Sequence, residues 1–322
     1  MIEVVPYNPD WPRIFEADAA QMKQALGDNC IAVHHVGSTA VPGLCAKPKI
    51  DIILVVKDMV HVVQNLEKIG YEYRGEFNIP LHLGFKKRPP LSNVNLHVYE
   101  EGNPEIELNL LFRDYLRTHP EPLEEYAALK WELVKQDASH HIVHGPFKGY
   151  TLEKDVFIKK ILNQVGFNGL CMRFCTHYDE WEAARGFRQK YFFDKVPVTD
   201  PYTWTFDHQD HVHFVFYRGT EIVGYAHIQL WKDQRAAVRI IVIDKNSRAQ
   251  GLGGHFLTLC ERWLKEKGFK TFHTQSSPDA YGFYKKQGYS EMPFNDPDGY
   301  ESDPQDIEMG KVLYPSPMKK PY

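Results

Sequence analysis

The most continuous apolar run in the chain covers residues 50–56 and is broken only by Asp51. It is short and β-branched, the pattern of a buried strand, and it is far below the length a membrane span needs. Around it, residues 12–26 read as a helix and 31–36 as an apolar strand. Residues 37–48 form a loop of small residues and prolines. Asp58 stands where an N-cap would open a helix ending at Gly70. Strands are expected at 71–74, 81–85 and 93–99, and helices at 104–117, 122–136 and 152–165.

Gly166 and Gly169 then punctuate the chain, and the pattern starts afresh. A strand at 170–174 is followed by a helix at 178–191. Strands at 212–217 and 221–230 are joined by Arg218-Gly219-Thr220, a hairpin signal. A strand at 236–243 runs directly into a helix at 251–268. A strand at 271–275, a helix at 279–287 and a last strand at 307–313 complete the pattern. At roughly 150 residues per domain, the 322 residues divide into two α/β (α+β) domains, 1–166 and 167–322.

Composition narrows the class. Thirty-eight Lys and Arg stand against 42 Asp and Glu, a net charge of −4. The chain lacks the basic excess that general nucleic-acid binding requires. The opening residues have neither a basic nor an apolar region of a signal peptide. The five cysteines are odd in number and scattered, so reduced thiols in a soluble, cytoplasmic protein are expected. No membrane partner is expected.

The strongest chemical signal runs from Val242 to Gly254. An apolar strand enters a short polar loop and then a glycine-bearing helix start. Helix N-termini offer unpaired N–H groups and a positive dipole end. Gly251 and Gly253 leave the backbone open to a pyrophosphate, and Arg248 adds a cation. The blander alternative is a tight turn that happens to use glycine.

Arg248-Ala249-Gln250-Gly251-Leu252-Gly253 resembles the acetyl-CoA signature of the GNAT N-acetyltransferases. The segment from Ala280 through Phe283 and Tyr284 to Gly288 and Tyr289, and the ending around Met309, resemble later parts of the same family. The resemblance spans roughly residues 168–314. It implies a mixed sheet splayed apart between two strands, with acetyl-CoA in the gap. Backbone groups of Ile241, Val242 and Ile243 would pair with the pantetheine. N–H groups from Ala249, Gln250, Gly251, Leu252, Gly253 and Gly254 would hold the pyrophosphate. Tyr284 stands where the family often carries the general acid; the alternative is a packing tyrosine. The base is open: His227, if it points into the cleft, directly or through water, or Asp306. No carboxylate stands in the strand at 236–240.

In the first half, His35-Val36-Gly37-Ser38 is followed by Lys47 and by Asp51 in the next strand. A Gly-Ser after a strand can bind phosphate through N–H and hydroxyl groups. A carboxylate among apolar residues needs a reason. Holding Mg²⁺ against a triphosphate is one, and pairing with a local cation such as Lys47 is another. The stretch from Gly37 to Asp51, with Leu96-His97-Val98, the 111–120 segment, Tyr126, Lys130, Tyr150 and Lys154, resembles the GrpB family over about residues 3–165. That family is similar to the nucleotidyltransferase superfamily. The resemblance implies nucleotide binding at Gly37, Ser38, Lys47 and Asp51, with ATP or GTP and Mg²⁺, the metal on Asp51. Related domains fused to dephospho-CoA kinase point to CoA-type or adenine nucleotides. The superfamily's second strand carboxylate is replaced by Ile53. Glu105 or Glu107 could supply one from a later element; an exposed helix face is the plainer reading.

Other signals are weaker. The histidines at 140, 141 and 144 and at 208, 211 and 213 lack zinc spacing and read as surface clusters. Cys171 and Cys175 read as core thiols, and Lys86-Lys87-Arg88 as a solvated basic loop. The aromatics at 191–193 and 202–206 lie where an acceptor pocket forms in GNAT enzymes. The expected activity is acetyl transfer from acetyl-CoA to a small-molecule amine, an aminoglycoside-like compound or a protein amino group, by a monomer or homodimer. A nucleotidyl-transferring bifunctional enzyme and a non-catalytic nucleotide- or CoA-binding protein are the alternatives.

Overall fold

A computed structural model describes residues 2–90, 92–144, 147–194, 199–299 and 303–313. The chain forms two compact units, Met1–Cys171 with Arg218–Thr220, and Met172–Tyr217 with Glu221–Tyr322.

The N-terminal unit opens with α1 (Trp11–Leu26). Strands β1 (Cys30–Val36) and β2 (Ile50–Val56), the short helix α2 (Val62–Glu67), then β3 (Glu72–Gly75), β4 (Leu83–Lys87) and β5 (Val94–Glu100) follow. Helices α3 (Pro104–Thr118) and α4 (Pro120–Lys135), a small pair β6 (Ile142–His144) and β7 (Phe147–Lys148), and helices α5 (Gly149–Leu152) and α6 (Asp155–Gln164) complete it. The sheet order is β1-β2-β5-β4-β3, antiparallel except for the parallel pair β2/β5. The apolar run of β2 is explained by burial on both faces. Ile50, Ile52, Leu54 and Val56 join the core under Trp11, Phe15, Ala19 and Met22 of α1. Ile53 and Val55 pack on the other face with Tyr99, Ile106 and Leu110.

Three expectations are corrected here. Asp58 does not cap α2: its Oδ1 accepts from Val60 N at 2.8 Å, and the helix starts only after His61, which has φ +58°. The helix expected at 152–165 is divided, because Glu153 and Lys154 form a turn between α5 and α6. Lys87 and Arg88 are not a solvated loop. Lys87 is buried and donates to Asp18 Oδ1 at 2.8 Å, and Tyr71 donates to the same oxygen at 2.8 Å. Arg88 bonds Asn93, Asn95 and the Val94 carbonyl.

The C-terminal unit is built from β8 (Leu170–Phe174) and β9 (His211–Arg218), whose residues 170, 171 and 218 fall in the other unit, and from α7 (Tyr178–Arg188), β10 (Glu221–Leu230), β11 (Arg235–Ile243), α8 (Leu252–Glu266), β12 (Thr271–Ser276), α9 (Pro278–Lys286), β13 (Ser290–Glu291) and β14 (Ile307–Val312). Its sheet runs β13-β14-β12-β11-β10-β9-β8. The helix expected to reach residue 191 ends at Arg188 and loosens into a wider turn over Gln189–Phe193. Among the described residues no helix is long and apolar enough to cross a membrane. None of the five cysteines forms a disulfide.

Candidate functional sites

β11 and β12 are parallel and pair from Arg235↔Thr271 to Val238↔Thr274. Beyond that point they separate. β12 continues against β14 as far as Ser276↔Ile307, and β11 continues against β10 from Ile240↔His227 to Ile243↔Gly224. Residues 239–243 therefore have a strand on one side and a gap on the other. A register shift in the β10/β11 pairing leaves Arg239 as a bulge at the start of the gap. Ile241, Val242 and Ile243 lie along this inner edge.

The chain then turns into α8. Ala249 and Gly251 have φ of +60° and +78°, and Gly251 is the helix N-cap. The left-handed turn at Gly251 is the conformation glycine adopts without a Cβ clash. A Cβ there would meet nothing within 4 Å, so the space in front of the helix is open. The loop is braced. Arg248 Nε donates to the Ile243 carbonyl at 2.9 Å, and its guanidinium lies over the Tyr191 ring. Asp244 accepts from Lys190 and from Tyr191, each at 2.9 Å. The Lys190 hydrogen bond chiefly holds the Asp244 carboxyl down at about 2.

Tyr284, on α9, is buried, and its hydroxyl lies beside Thr274. Its ring meets Tyr289 edge-on at 5.3 Å. Burial pushes the hydroxyl up to about 12, so it holds its proton at neutral pH. Asp306 immediately precedes β14, where burial and Asp303 raise its carboxyl.

His227 does not face a cleft by itself. Arg188 Nη1 donates to its Nδ1 at 3.2 Å, and its Nε2 lies 2.8 Å from His211 Nδ1. Arg188 has donors only, so the His227 proton sits on Nε2 and is given to His211. The remaining His211 proton is then on Nε2. Arg188 also pairs with Asp200, at 2.9 Å for Nη2–Oδ1, and donates to the Tyr225 hydroxyl at 3.3 Å. Tyr225 bonds His213 Nδ1 at 2.7 Å, and His213 Nε2 donates to the Thr205 carbonyl. His211 and His213 are thus buried members of one hydrogen-bonded chain, a correction to the surface-cluster reading. Burial, first of all, lowers the imidazoles to about 4 and about 3 and keeps both neutral. Nothing in the sequence pattern marked Arg188 or Asp200; only the alternation His211, His213 on one strand face hinted at the chain.

His211 lines a cavity of about 530 Å³ with Trp204, Asp210, Gln229, Trp231 and Asp298. Gln229 donates to Asp298 and accepts from Arg239 Nε at 2.7 Å, which ties the cavity floor to the bulge. The buried Trp231 indole N–H has no hydrogen-bond partner among the described residues.

In the N-terminal unit, Gly37 has φ +67°, and a Cβ there would lie 2.7 Å from Asp51 Oδ2. The loop after β1 therefore rests directly on Asp51. Two arginines of α3 clamp it: Arg113 donates to the His35 carbonyl at 2.9 Å, and Arg117 donates twice to the Ala40 carbonyl. Lys130 of α4 is buried and donates to Ser38 Oγ and, at 2.6 Å, to the Cys45 carbonyl. Lys47 and Lys154 both stand over the Tyr150 ring, at 4.2 and 4.7 Å from its centre. Asp51 accepts from Asn95 at 3.0 Å and forms no ion pair among the described residues, with Lys47 or otherwise. Glu105 is buried in the first turn of α3, within electrostatic reach of His97, rather than on an exposed face. No three His, Cys, Asp or Glu side chains among the described residues converge to hold a metal ion. The histidine set at 140–144 is structural where described: His140 accepts from Ile2 N and donates to the Val134 carbonyl, while the His144 side chain lies outside the described residues.

Comparison with known proteins places both halves. The family model described as GrpB protein matches residues 1–164, and that of the acetyltransferase (GNAT) family matches residues 177–289. The UPF0157 protein YqkA of Bacillus subtilis is 39% identical over 149 residues, 45% of this chain and 43% of that protein. The chain therefore spans less than half the length of that relative. The crystal structure of the GrpB protein of Enterococcus faecalis is 37% identical, covering 51% of this chain and 96% of that one at a TM-score of 0.45. The ribosomal-protein-S18-alanine N-acetyltransferase of Escherichia coli is 16% identical, covering 48% of this chain and 99% of that one at a TM-score of 0.37. The chain belongs to the GrpB family through its N-terminal half and carries a GNAT-family acetyltransferase domain in its C-terminal half.

Proposed function

We propose that the C-terminal unit transfers the acetyl group of acetyl-CoA to a primary amine, borne by a small molecule or a protein, that arrives as a cation. The observation that carries this reading is the separation of β11 from β12 beyond Val238 and Thr274, which opens towards the start of α8.

The residues fit the cosubstrate. The free inner edge at Ile241, Val242 and Ile243 suits the amides of a pantetheine arm. The N–H groups from Ala249 to Gly254 suit a pyrophosphate at a helix N-terminus. The terminal nitrogens of Arg248, which bond nothing among the described residues, add charge. Acetyl-CoA, when bound, supplies an acyl group activated as a thioester.

The protein supplies the rest. Asp210 and Asp298 draw an ammonium group into the cavity, and the Trp204 ring lines its wall; the Trp231 ring already carries the Arg235 guanidinium, 4.5 Å from its centre. His211 offers a donor there, so it orients the acceptor rather than deprotonating it. His227, with both nitrogens engaged, positions His211. The ammonium loses one proton to cavity water, the amine nitrogen bonds the acyl carbon, and the carbon–sulfur bond breaks. Tyr284 gives its proton to the departing sulfur and is reprotonated, through water, by the proton that the nitrogen loses as the amide forms.

The test is product formation. The full chain, acetyl-CoA and a panel of cationic amines, neutral amines and peptide N-termini are combined, and acetylated product is followed by mass spectrometry. Product that grows with enzyme concentration, and for cationic acceptors first, supports the reading. Stabilisation by acetyl-CoA without product from any acceptor reduces the unit to a CoA-binding module.

A further inference from the structure

The N-terminal unit gathers positive charge that no carboxylate pairs. Lys47 comes from the loop before β2, Lys130 from α4 and Lys154 from the turn between α5 and α6. They meet around Tyr126 and Tyr150: Lys130 stands 4.7 Å from the Tyr126 centre, and Lys47 and Lys154 share the Tyr150 ring. Lys130 spends its hydrogen bonds on the neutral oxygens of Ser38 and Cys45. The ammonium groups of Lys47 and Lys154 have no hydrogen bond or ion pair among the described residues. Asp51 is the one carboxylate felt by all three. Three cations against one anion leave a net excess of charge in a partly desolvated pocket, and burying unpaired charge is costly.

This donor set does not suit Mg²⁺. A magnesium site draws on carboxylate oxygens and water, and here the carboxylate's neighbours are ammonium groups that repel a cation. The set suits an anion with several oxygens, for which lysines act as compact point charges. We propose that Ser38, Lys47, Lys130 and Lys154 form a metal-independent binding site for an oligophosphate anion, with Asp51 seating the Gly37-Ser38 loop rather than carrying a metal. The lysines take the place that metal ions hold where several carboxylates are present. Inorganic pyrophosphate, the triphosphate of a nucleotide and the pyrophosphate of CoA share this chemistry.

The test uses calorimetric titration of the full chain carrying Gly253→Glu, which closes the helix start of the C-terminal unit to phosphates. Pyrophosphate, ATP and CoA are titrated separately in EDTA and again with excess Mg²⁺. The expected result is binding of pyrophosphate in EDTA, unchanged or weaker with Mg²⁺, and weakened about tenfold or more by Lys47→Met or Lys154→Met. ATP or CoA binding more tightly than pyrophosphate in EDTA also supports the site and assigns its source. Lys130→Met removes a buried charge but also the donor to Ser38 and Cys45, so its thermal midpoint is read beside its pyrophosphate binding, which should fall in the folded variant. Binding that appears only with Mg²⁺ and is lost in Asp51→Asn overturns the proposal. So does no binding of any of the three in EDTA by the folded Gly253→Glu chain.

Discussion

Tyr284 of α9 lies beside Thr274, the last residue of β12 still paired with β11. The hydroxyl is therefore near the point where the two strands begin to part. On the reading proposed above, a buried proton donor there serves a leaving group that forms at the same point.

Tyr284→Phe removes that donor and keeps the ring contacts with Phe283 and Tyr289. Turnover should fall by roughly 10²-fold, as for loss of a general acid, while the Kd for acetyl-CoA stays within about twofold. Stopped-time product analysis and calorimetry separate the two. An unchanged rate removes Tyr284 from the chemistry.

Gly253→Glu places bulk and a negative charge at the helix start. The loss of acetyl-CoA binding should be complete within the range of calorimetry, with the fold retained by circular dichroism. Retained binding would move the pyrophosphate elsewhere.

Asp298→Asn removes one acidic wall of the cavity. The KM for a cationic acceptor should rise about tenfold, as for a lost hydrogen bond to a charged group, and the KM for a neutral amine should not. A shift common to both acceptors points to a structural role through Gln229. His227→Gln should lower kcat with cationic and neutral acceptors alike, since it acts through His211.

The lysine cluster makes stability depend on pH. Burial, before any other cause, lowers Lys130 to about 7 and Lys47 and Lys154 to about 8, from an ordinary 10.5. Lys148, Lys49, Cys45 and Asp51 also act on these groups. Between those values and 10.5 the unfolded chain holds more protons than the folded one, so unfolding free energy rises with pH across about 7 to 10.5. Pyrophosphate binding runs the other way, weakening as the ammonium groups lose their protons. Thermal midpoints against pH, with and without pyrophosphate, should converge as pH rises. Lys130→Met should flatten the ligand-free rise. A slope unchanged by that substitution rules out the buried lysine as its source.

Gly37→Ala meets two obstacles: a positive φ and the Asp51 oxygen 2.7 Å from the new Cβ. A loss of roughly 1–3 kcal/mol in the unfolding of the N-terminal unit is expected, read by urea denaturation. A loss near zero shows that the loop can lift from Asp51.

Much of the fold is legible along the chain because local pattern and tertiary need agree. The β2 run is continuous because both its faces are covered, and the 218–220 hairpin and the 242–254 strand–loop–helix each carry their own turn chemistry. What escapes is charge buried by partners distant in sequence. Lys87 reads as part of a basic loop until Asp18, 69 residues earlier, is brought to it. Lys130 has a local signal, since it shares the buried stripe of α4 with Tyr126 and Leu133. The His211–His227–Arg188 chain has almost none: its members come from separate strands and a helix, and only strand pairing aligns them. The ends of α2 and α7 differ from the pattern where backbone geometry intervenes, at His61 and in the wide turn at Gln189–Phe193.

The parting of β11 from β12 has a consequence for aggregation. Residues 240–242 lie beside no strand on the β12 side, an inner edge with the same chemistry that makes an outer strand a template for foreign chains. On the reading proposed above, a pantetheine arm lying along that edge would be a strand-like cap as well as a reactant. Added CoA should then slow aggregation of the C-terminal unit, an outcome that light scattering follows.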